Sequence, residues 1–458
     1  MFAIPAIVGL LLLVQIRPQE FLISLRAVPW LYLFFALSIL GYAVDIRTRL
    51  SKVVAAPQLQ WIAIFFVWCI ITLVVRNPAA IQKEAIGLLI TLIFGLAVGH
   101  TVQSFRGFQV ITGTLLAIGL FLAGTGIYQG MAPFGCLEIN DSDNTRTDGK
   151  FNGQLCTTAE ECRRVDPEPG KDYACERVGL FGTFTVEEGR VRYLGTMQDP
   201  NELALVLGVT VPFAFAFYQR KRSLARLILM LLTVGMVGTC IVMTKSRGGQ
   251  LVMLTAMGAY FIRRYGIKGM VVGGVLASPM LLLGGREGEK ASASSMERIE
   301  CMYEGIDMFK SNPLFGVGKG QFTEHHYLTA HNSYLLVASE LGLPGMFLWS
   351  VIVFLTMKTL VQAIQRFANR PEAEPASVWA MALLASMSGM LVGCFFLSYS
   401  YEQTLWVYLG LVGAFFGAAK RHDPAWEVKV SSRELVGIAV ADVAIVVALF
   451  VYSRLKVA

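Results

Sequence analysis

Four short polar clusters interrupt a chain that is otherwise apolar. Asp199-Pro200-Asn201-Glu202 opens one apolar run, and Thr244-Lys245-Ser246-Arg247-Gly248-Gly249 separates two others. Arg298 lies on the polar side of an amphipathic stretch. Ala330-His331-Asn332-Ser333-Tyr334 leads into a run that carries Glu340, Gly342, Pro344 and Gly345. Guanidinium forks match phosphate oxygens and stabilise an anionic leaving group. Histidine is the side chain whose ordinary pKa suits general-base work near neutrality. Together Arg247, Arg298 and His331 suit transfer of a group from a lipid diphosphate to a sugar hydroxyl. Simpler roles compete at each cluster. Asp199 with Pro200 reads as a helix cap, and Arg247 reads as a snorkelling interfacial residue. Glu340 falls roughly 13 Å along its helix from the His331 cluster, at 1.5 Å per residue. A carboxylate that deep needs a partner. His325, His326 and His331 make a weak zinc set, because adjacent histidines rarely aim both rings at one ion. Gly316, Gly318 and Gly320 make a weak phosphate cradle, because no strand precedes them.

The elements that position these clusters follow from composition. The chain has 458 residues, of which 55% are hydrophobic and 16% charged, and its mean hydropathy is +0.57. A soluble domain carries about a quarter charged residues, so several globules, disorder and a small disulfide scaffold are excluded. An all-α polytopic integral membrane protein is predicted, with about twelve and possibly thirteen spans. The apolar runs fall near 2–16, 27–46, 59–76, 86–104, 107–130, 199–218, 227–244, 250–262, 269–284, 334–357, 377–398, 404–419 and 434–452. The last contains Asp442. The first reads as a retained helix, since no positive residue precedes it and no small-residue cleavage site follows. With 219–226 set in the cytoplasm, the inside segments hold 18 Lys and Arg against 6 in the short outside ones. This places the amino terminus inside and two long loops, about 131–197 and 285–330, outside. The net charge of +7 is then the sum of cytoplasmic anchors and acidic outer loops. A nucleic-acid partner is not expected, since no Lys/Arg-rich surface helix tracks phosphates.

The organisation read from this is helices over 1–130, a loop over 131–197, central helices over 198–284, a second loop over 285–333 and helices over 334–458. Loop 131–197 carries eight Lys and Arg against twelve Asp and Glu. It holds Cys136, Cys156, Cys162 and Cys175, which in an oxidising compartment read as two disulfides with three possible pairings. The rival is zinc, disfavoured by the wide Cys156–Cys162 spacing. In the second loop Ile299, Met302, Tyr303, Ile306 and Phe309 recur at helical spacing, with Ser294 or Ser295 as cap. That stretch reads as a helix lying on the membrane–water boundary among membrane lipids.

At this point the sequence resembles the bacterial O-antigen ligase and polymerase superfamily of the Wzy-C type. His331-Asn332-Ser333-Tyr334-Leu335 with Glu340-Leu341-Gly342-Leu343-Pro344-Gly345 is similar to that family's "HNxYL…ExGxxG" signature. Thr244 to Gly249 resembles its "TxSRGG" turn, and Asp199-Pro200-Asn201 its "(D/N)PN" helix start. Arg298, followed by Asn312-Pro313-Leu314-Phe315-Gly316-Val317-Gly318, resembles its "R…xxPxxGxG" segment. The motifs run in the family's order over about 195–350.

The resemblance implies a metal-independent, inverting glycosyltransferase of the bacterial inner membrane that needs no cofactor. It would move a glycan from an undecaprenyl-diphosphate-linked donor to a glycan or lipid A-core acceptor at the periplasmic face. It would give Arg247 and Arg298 the diphosphate and His331 the acceptor hydroxyl. Ser246, Asn332, Tyr334, Glu340, Asp199 and Asn201 would line the substrates. Ligase, polymerase and protein O-oligosaccharyltransferase share these motifs and differ in acceptor. Two other classes remain: a polysaccharide transporter or flippase, and a scaffold whose cystine loop binds a partner. A transporter would carry its charges at the midplane of two related halves, whereas here they collect toward one face.

Overall fold

The computed structural model describes residues 1–53, 56–139, 149–164, 172–187, 189–283 and 289–457. Thirteen helices of ten residues or more are found among them. They are α1 (Ala3–Gln15), α2 (Trp30–Arg47), α3 (Leu59–Arg76), α4 (Ile81–Thr101), α5 (Phe105–Met131), α6 (Pro200–Arg220), α7 (Leu224–Met243), α8 (Arg247–Leu283), α9 (Glu289–Ser311), α10 (Ser333–Phe367), α11 (Glu374–Gly393), α12 (Gln403–Ala419) and α13 (Ser432–Val457). Nine helices among the described residues are long and apolar enough to cross a membrane, and α1 and α12 are shorter apolar helices. The runs expected at 250–262 and 269–284 form one element, α8, broken at Gly266, whose φ of 62° lies outside the helical region. α9 starts at Glu289, before the serines expected to cap it.

The chain divides into two compact units. One comprises residues 1–9, 32–112 and 287–458. In it α4 packs against α12, and α10 packs against α3, α9, α11 and α13. Where α4 and α12 meet, Gly95 and Gly410 let the two backbones touch: a Cβ on Gly410 would stand 2.2 Å from the Gly95 carbonyl oxygen. Trp349, Trp406 and Phe65 fill the centre of this unit, with ring centroids 5.3–6.0 Å apart. Edge-on and tilted aromatic packing of this kind adds to simple burial. Asp442, on α13, accepts a hydrogen bond from Ser350 Oγ at 2.6 Å, so the acid inside this apolar helix has a partner on α10.

The other unit comprises residues 10–31 and 113–286. Here α6 packs against both α7 and α8. It also contains structure that the helical reading did not anticipate, a three-stranded antiparallel sheet in the order β2-β1-β3. Its strands are β1 (Phe134–Ile139), β2 (Gly149–Leu155) and β3 (Asp172–Arg177). No clean alternation marks these strands, because cysteines supply the buried side. Cys136 pairs with Cys162, and Cys156 with Cys175. Cys136, Cys156, Cys162 and Tyr173 form the small core of the sheet. Arg177 fastens it to the end of α5 through a 2.5 Å bond to the Ala132 carbonyl.

So few apolar residues cannot hold a sheet alone, and the bridges substitute for a core. Their sequence separations are 26 and 19 residues. Closing loops of that length removes about 3 kcal/mol of unfolded-chain entropy per bridge. Non-reducing peptide mapping should therefore recover Cys136–Cys162 and Cys156–Cys175 peptides. The double variant Cys136→Ser/Cys162→Ser should become sensitive to protease within 134–177 while the helices stay resistant.

Candidate active site

In the 10–31 and 113–286 unit, two of the polar clusters become neighbours. α6 begins at Pro200 with Asp199 as its cap, and Asp199 Oδ1 accepts from the Asn201 backbone N–H and from Asn201 Nδ2, each at 2.8 Å. Proline at the first helical position costs no hydrogen bond there. α8 begins at Arg247, and Ser246 caps it, accepting from Gly249 N–H at 3.0 Å. The second glycine of this turn is required by packing. A Cβ on Gly249 would lie 2.2 Å from that of Ala204, so the first turns of α6 and α8 touch. Ser246 is buried and Arg247 is exposed. The cap thus faces inward and the guanidinium stem stands at the surface, next to the start of α6.

The same turn is held from behind by residues that the motifs did not indicate. Lys245 has a left-handed backbone, φ 52°. Arg190, buried, donates from Nε to the Thr244 carbonyl at 3.0 Å and pairs with Glu187 at 2.8 Å. The Val191 N–H donates to the Met243 carbonyl at 3.3 Å. Arg192 stacks on Phe184, with its guanidinium carbon 4.2 Å from the ring centroid. Segment 190–192 therefore braces the carbonyls that end α7. The available signal was a pair of arginines in an acidic loop a few residues before Asp199.

In the other unit, Arg298 and His331 belong to adjoining elements. The apolar stripe of α9 packs on α10 as its periodicity requires. Ile306 and Met308 join Val317, Phe322, Ala330, Leu335 and Leu336 in one buried cluster. Gly305 lies against the Leu335 side chain. Arg298 is exposed on the polar side of α9. His326 is engaged elsewhere: its Nε2 is 3.5 Å from Glu300, and its Nδ1 accepts from Leu328 N–H at 3.2 Å and lies 3.9 Å from Cys301 Sγ. Burial, with Glu300 beside it, pushes the Cys301 thiol up to about 11, so it stays protonated at neutral pH.

Glu340 and the glycine loop explain each other. Gly342 breaks α10 with φ 68°, and Pro344 has no N–H to donate to the Glu340 carbonyl. The segment 313–322 takes over the missing bonds. Val317 N–H donates to Ser339 O, Gly318 N–H to Glu340 O, and Leu343 N–H to Pro313 O, each at 2.9 Å. The buried Glu340 carboxylate accepts from Phe322 N–H at 3.1 Å. Trp68 of α3 donates to the Leu341 carbonyl at 2.9 Å and stacks on Phe315. Lys319 pairs with Glu84 of α4, and Asn77 donates to Gln321 Oε1 at 2.7 Å. Two motifs that the sequence lists separately are thus one clamp, in which loop amides satisfy helix carbonyls.

His331 follows that clamp. Asn332 caps α10 by accepting from Leu335 N–H at 3.0 Å. Ser333 is buried, and Tyr334 donates to the Leu391 carbonyl at 3.1 Å with its ring 4.5 Å from that of Phe395. His331 itself is half-buried at the head of the helix.

Residues 203–350 match a family model described as Wzy_C, O-antigen ligase. No curated protein matches the chain. The matched stretch runs from the first turns of α6 into α10 and takes in the Arg247 turn, Arg298, the glycine loop, His331 and Glu340. Over residues 203–350 the chain is thus similar to the O-antigen ligase family.

Proposed function

We propose that the protein is a membrane glycosyltransferase that moves a glycan from an undecaprenyl-diphosphate carrier to an acceptor hydroxyl at the periplasmic face of the bacterial inner membrane. The observation that carries this reading is the family match, which encloses Arg247, Arg298 and His331. In the reaction the acceptor oxygen attacks the anomeric carbon while the bond from that carbon to the diphosphate oxygen breaks. His331 takes the proton from the acceptor hydroxyl. The guanidinium groups of Arg247 and Arg298 bind the diphosphate and stabilise the charge that builds on it as it leaves. A single displacement inverts the anomeric centre. The two arginines supply the charge stabilisation that a divalent ion supplies in other phosphate-leaving reactions, so this mechanism asks for no metal and no cofactor.

The remaining polar residues divide by their bonds. Asp199, Ser246 and Asn332 cap helices and Glu340 anchors the glycine loop, which supports a framing role for all four. Asn201, in the first turn of α6, and Tyr334, in the first turn of α10, are each half-buried, and each is assigned to substrate contact. A shallow apolar slot beside Tyr334 is lined also by Ile306, Phe309, Leu335, Ile445 and Leu449, with a cavity volume of about 10 Å³.

A deletion strain tests the function and sorts the acceptors. Loss of the polysaccharide ladder from capped core means a ligase with lipid A-core as acceptor. A single repeat on core means a polymerase. Unchanged polymer with unglycosylated protein means a protein O-oligosaccharyltransferase. Loss of both polymer and glycoprotein, with donor lipid accumulating on the cytoplasmic side, means a flippase and ends the glycosyltransferase reading.

A further inference from the structure

We infer that Ser398 is a positioning residue for His331, holding the histidine in a backbone conformation that it would otherwise leave. The inference rests on His331 being the base proposed above. His331 has φ 47°, in the left-handed region that non-glycine residues seldom occupy. Such a conformation costs of order 1 kcal/mol and persists only where the surroundings over-determine it. Its backbone N–H donates to Ser398 Oγ at 2.9 Å. That hydroxyl lies in the turn 394–400, between α11 and α12 and far away in sequence.

The turn is laid directly over the His331 motif. Ser333 N–H donates to Cys394 O at 2.8 Å. Ser333 Oγ donates to Leu397 O at 2.7 Å and accepts from Tyr399 N–H at 2.8 Å. Ser400 Oγ donates to Ser333 O at 2.9 Å. Asn332 Nδ2 donates to Phe395 O at 3.3 Å. In turn, Trp406 Nε1 donates to Ser400 O at 3.0 Å, tying the turn to α12. Residues 332 and 333 are thus gripped by several bonds. The backbone N–H of His331 itself is held from the same turn, by the hydroxyl of Ser398. Without that acceptor, a left-handed residue beside a helix cap relaxes toward the extended or right-handed regions. The imidazole then swings away from the acceptor hydroxyl. A base misplaced by an ångström loses rate without losing the donor, because donor binding lies with the arginines.

The test uses full-length protein in proteoliposomes, with the polyprenyl-diphosphate glycan extracted from the deletion strain as donor. Initial rates are measured for wild type, Ser398→Ala, the isosteric pair Ser398→Thr and Ser398→Val, and His331→Ala. Ser398→Ala and Ser398→Val are expected to lower kcat about 10-fold with donor KM within about twofold, the size of one hydrogen bond at roughly 1.4 kcal/mol. Ser398→Thr, which keeps the acceptor oxygen, should restore most of the rate. The Thr and Val pair decides the matter if the alanine variant does not insert. Equal kcat for Thr and Val, or wild-type kcat for Ala, overturns the inference while an inactive His331→Ala leaves the base assignment standing. An active His331→Ala instead removes the base assignment and the positioning role with it.

Discussion

His331→Ala is expected to lower glycan transfer roughly 100- to 10,000-fold, the range that a positioned general base contributes. The protein should insert and remain folded, because the bonds that build this corner come mainly from its neighbours. Asn332 caps α10, Ser333 grips the turn 394–400, and the glycine loop locks the helix break. The backbone at 331 stays left-handed, and alanine is strained there about as much as histidine, so only a small change in stability is expected from the backbone. Donor binding should persist, since the guanidinium groups that face the diphosphate in this mechanism are untouched. The measurement is the rate of donor consumption by purified protein in proteoliposomes, with donor KM taken alongside. A transfer rate within tenfold of wild type would remove His331 from the chemistry.

Gly316→Ala is expected to destabilise the protein by about 3 kcal/mol or more, combining a left-handed alanine with overpacking. Gly316 has φ 61°, and an added Cβ would stand 2.2 Å from the Glu340 carbonyl carbon. Those are backbone atoms, which cannot swing aside as a side-chain tip can. Gly342→Ala should behave alike, with φ 68° and the Leu314 carbonyl oxygen 2.4 Å from the new methyl. Either change would drive segment 313–322 off α10. That exposes the Ser339 and Glu340 carbonyls and leaves the Glu340 carboxylate buried without the Phe322 N–H, each an expensive orphan in an apolar interior. Gly87→Ala is the control, because nothing lies within 4 Å of its added Cβ and its helical backbone favours alanine. Thermal unfolding of detergent-solubilised protein separates the three: a large drop in Tm for the first two and none for the control. An unchanged Tm for Gly316→Ala would mean that the loop does not sit in the break.

Much of this was legible in the residues because it is local. Long apolar runs dictate helices, since a chain in hydrocarbon must satisfy its own amides. The stripe Ile299, Met302, Tyr303, Ile306 and Phe309 announced α9. The types and order of Arg247, Arg298 and His331 are what suggest diphosphate and base chemistry, which is the proposal above. Four cysteines in one polar loop announced two bridges. What could not be read was which distant segments meet. The pairing of those cysteines is one of three, and only the sheet register, with Cys136 opposite Cys175 across β1 and β3, sends each thiol to a different partner. Glu340 was conspicuous as a deep acid, yet what ties it to the glycine loop is the Phe322 backbone N–H, which has no signature in side-chain types. Gly316 and Pro344 lie far enough apart that neither spacing nor periodicity links them. They belong together because proline withholds one helix hydrogen bond and a glycine loop is narrow enough to replace it. Ser398 is the extreme case. Nothing in Phe396-Leu397-Ser398-Tyr399-Ser400 marks chemistry, and the serine matters only because folding sets its hydroxyl against the amide of a histidine whose backbone needs holding.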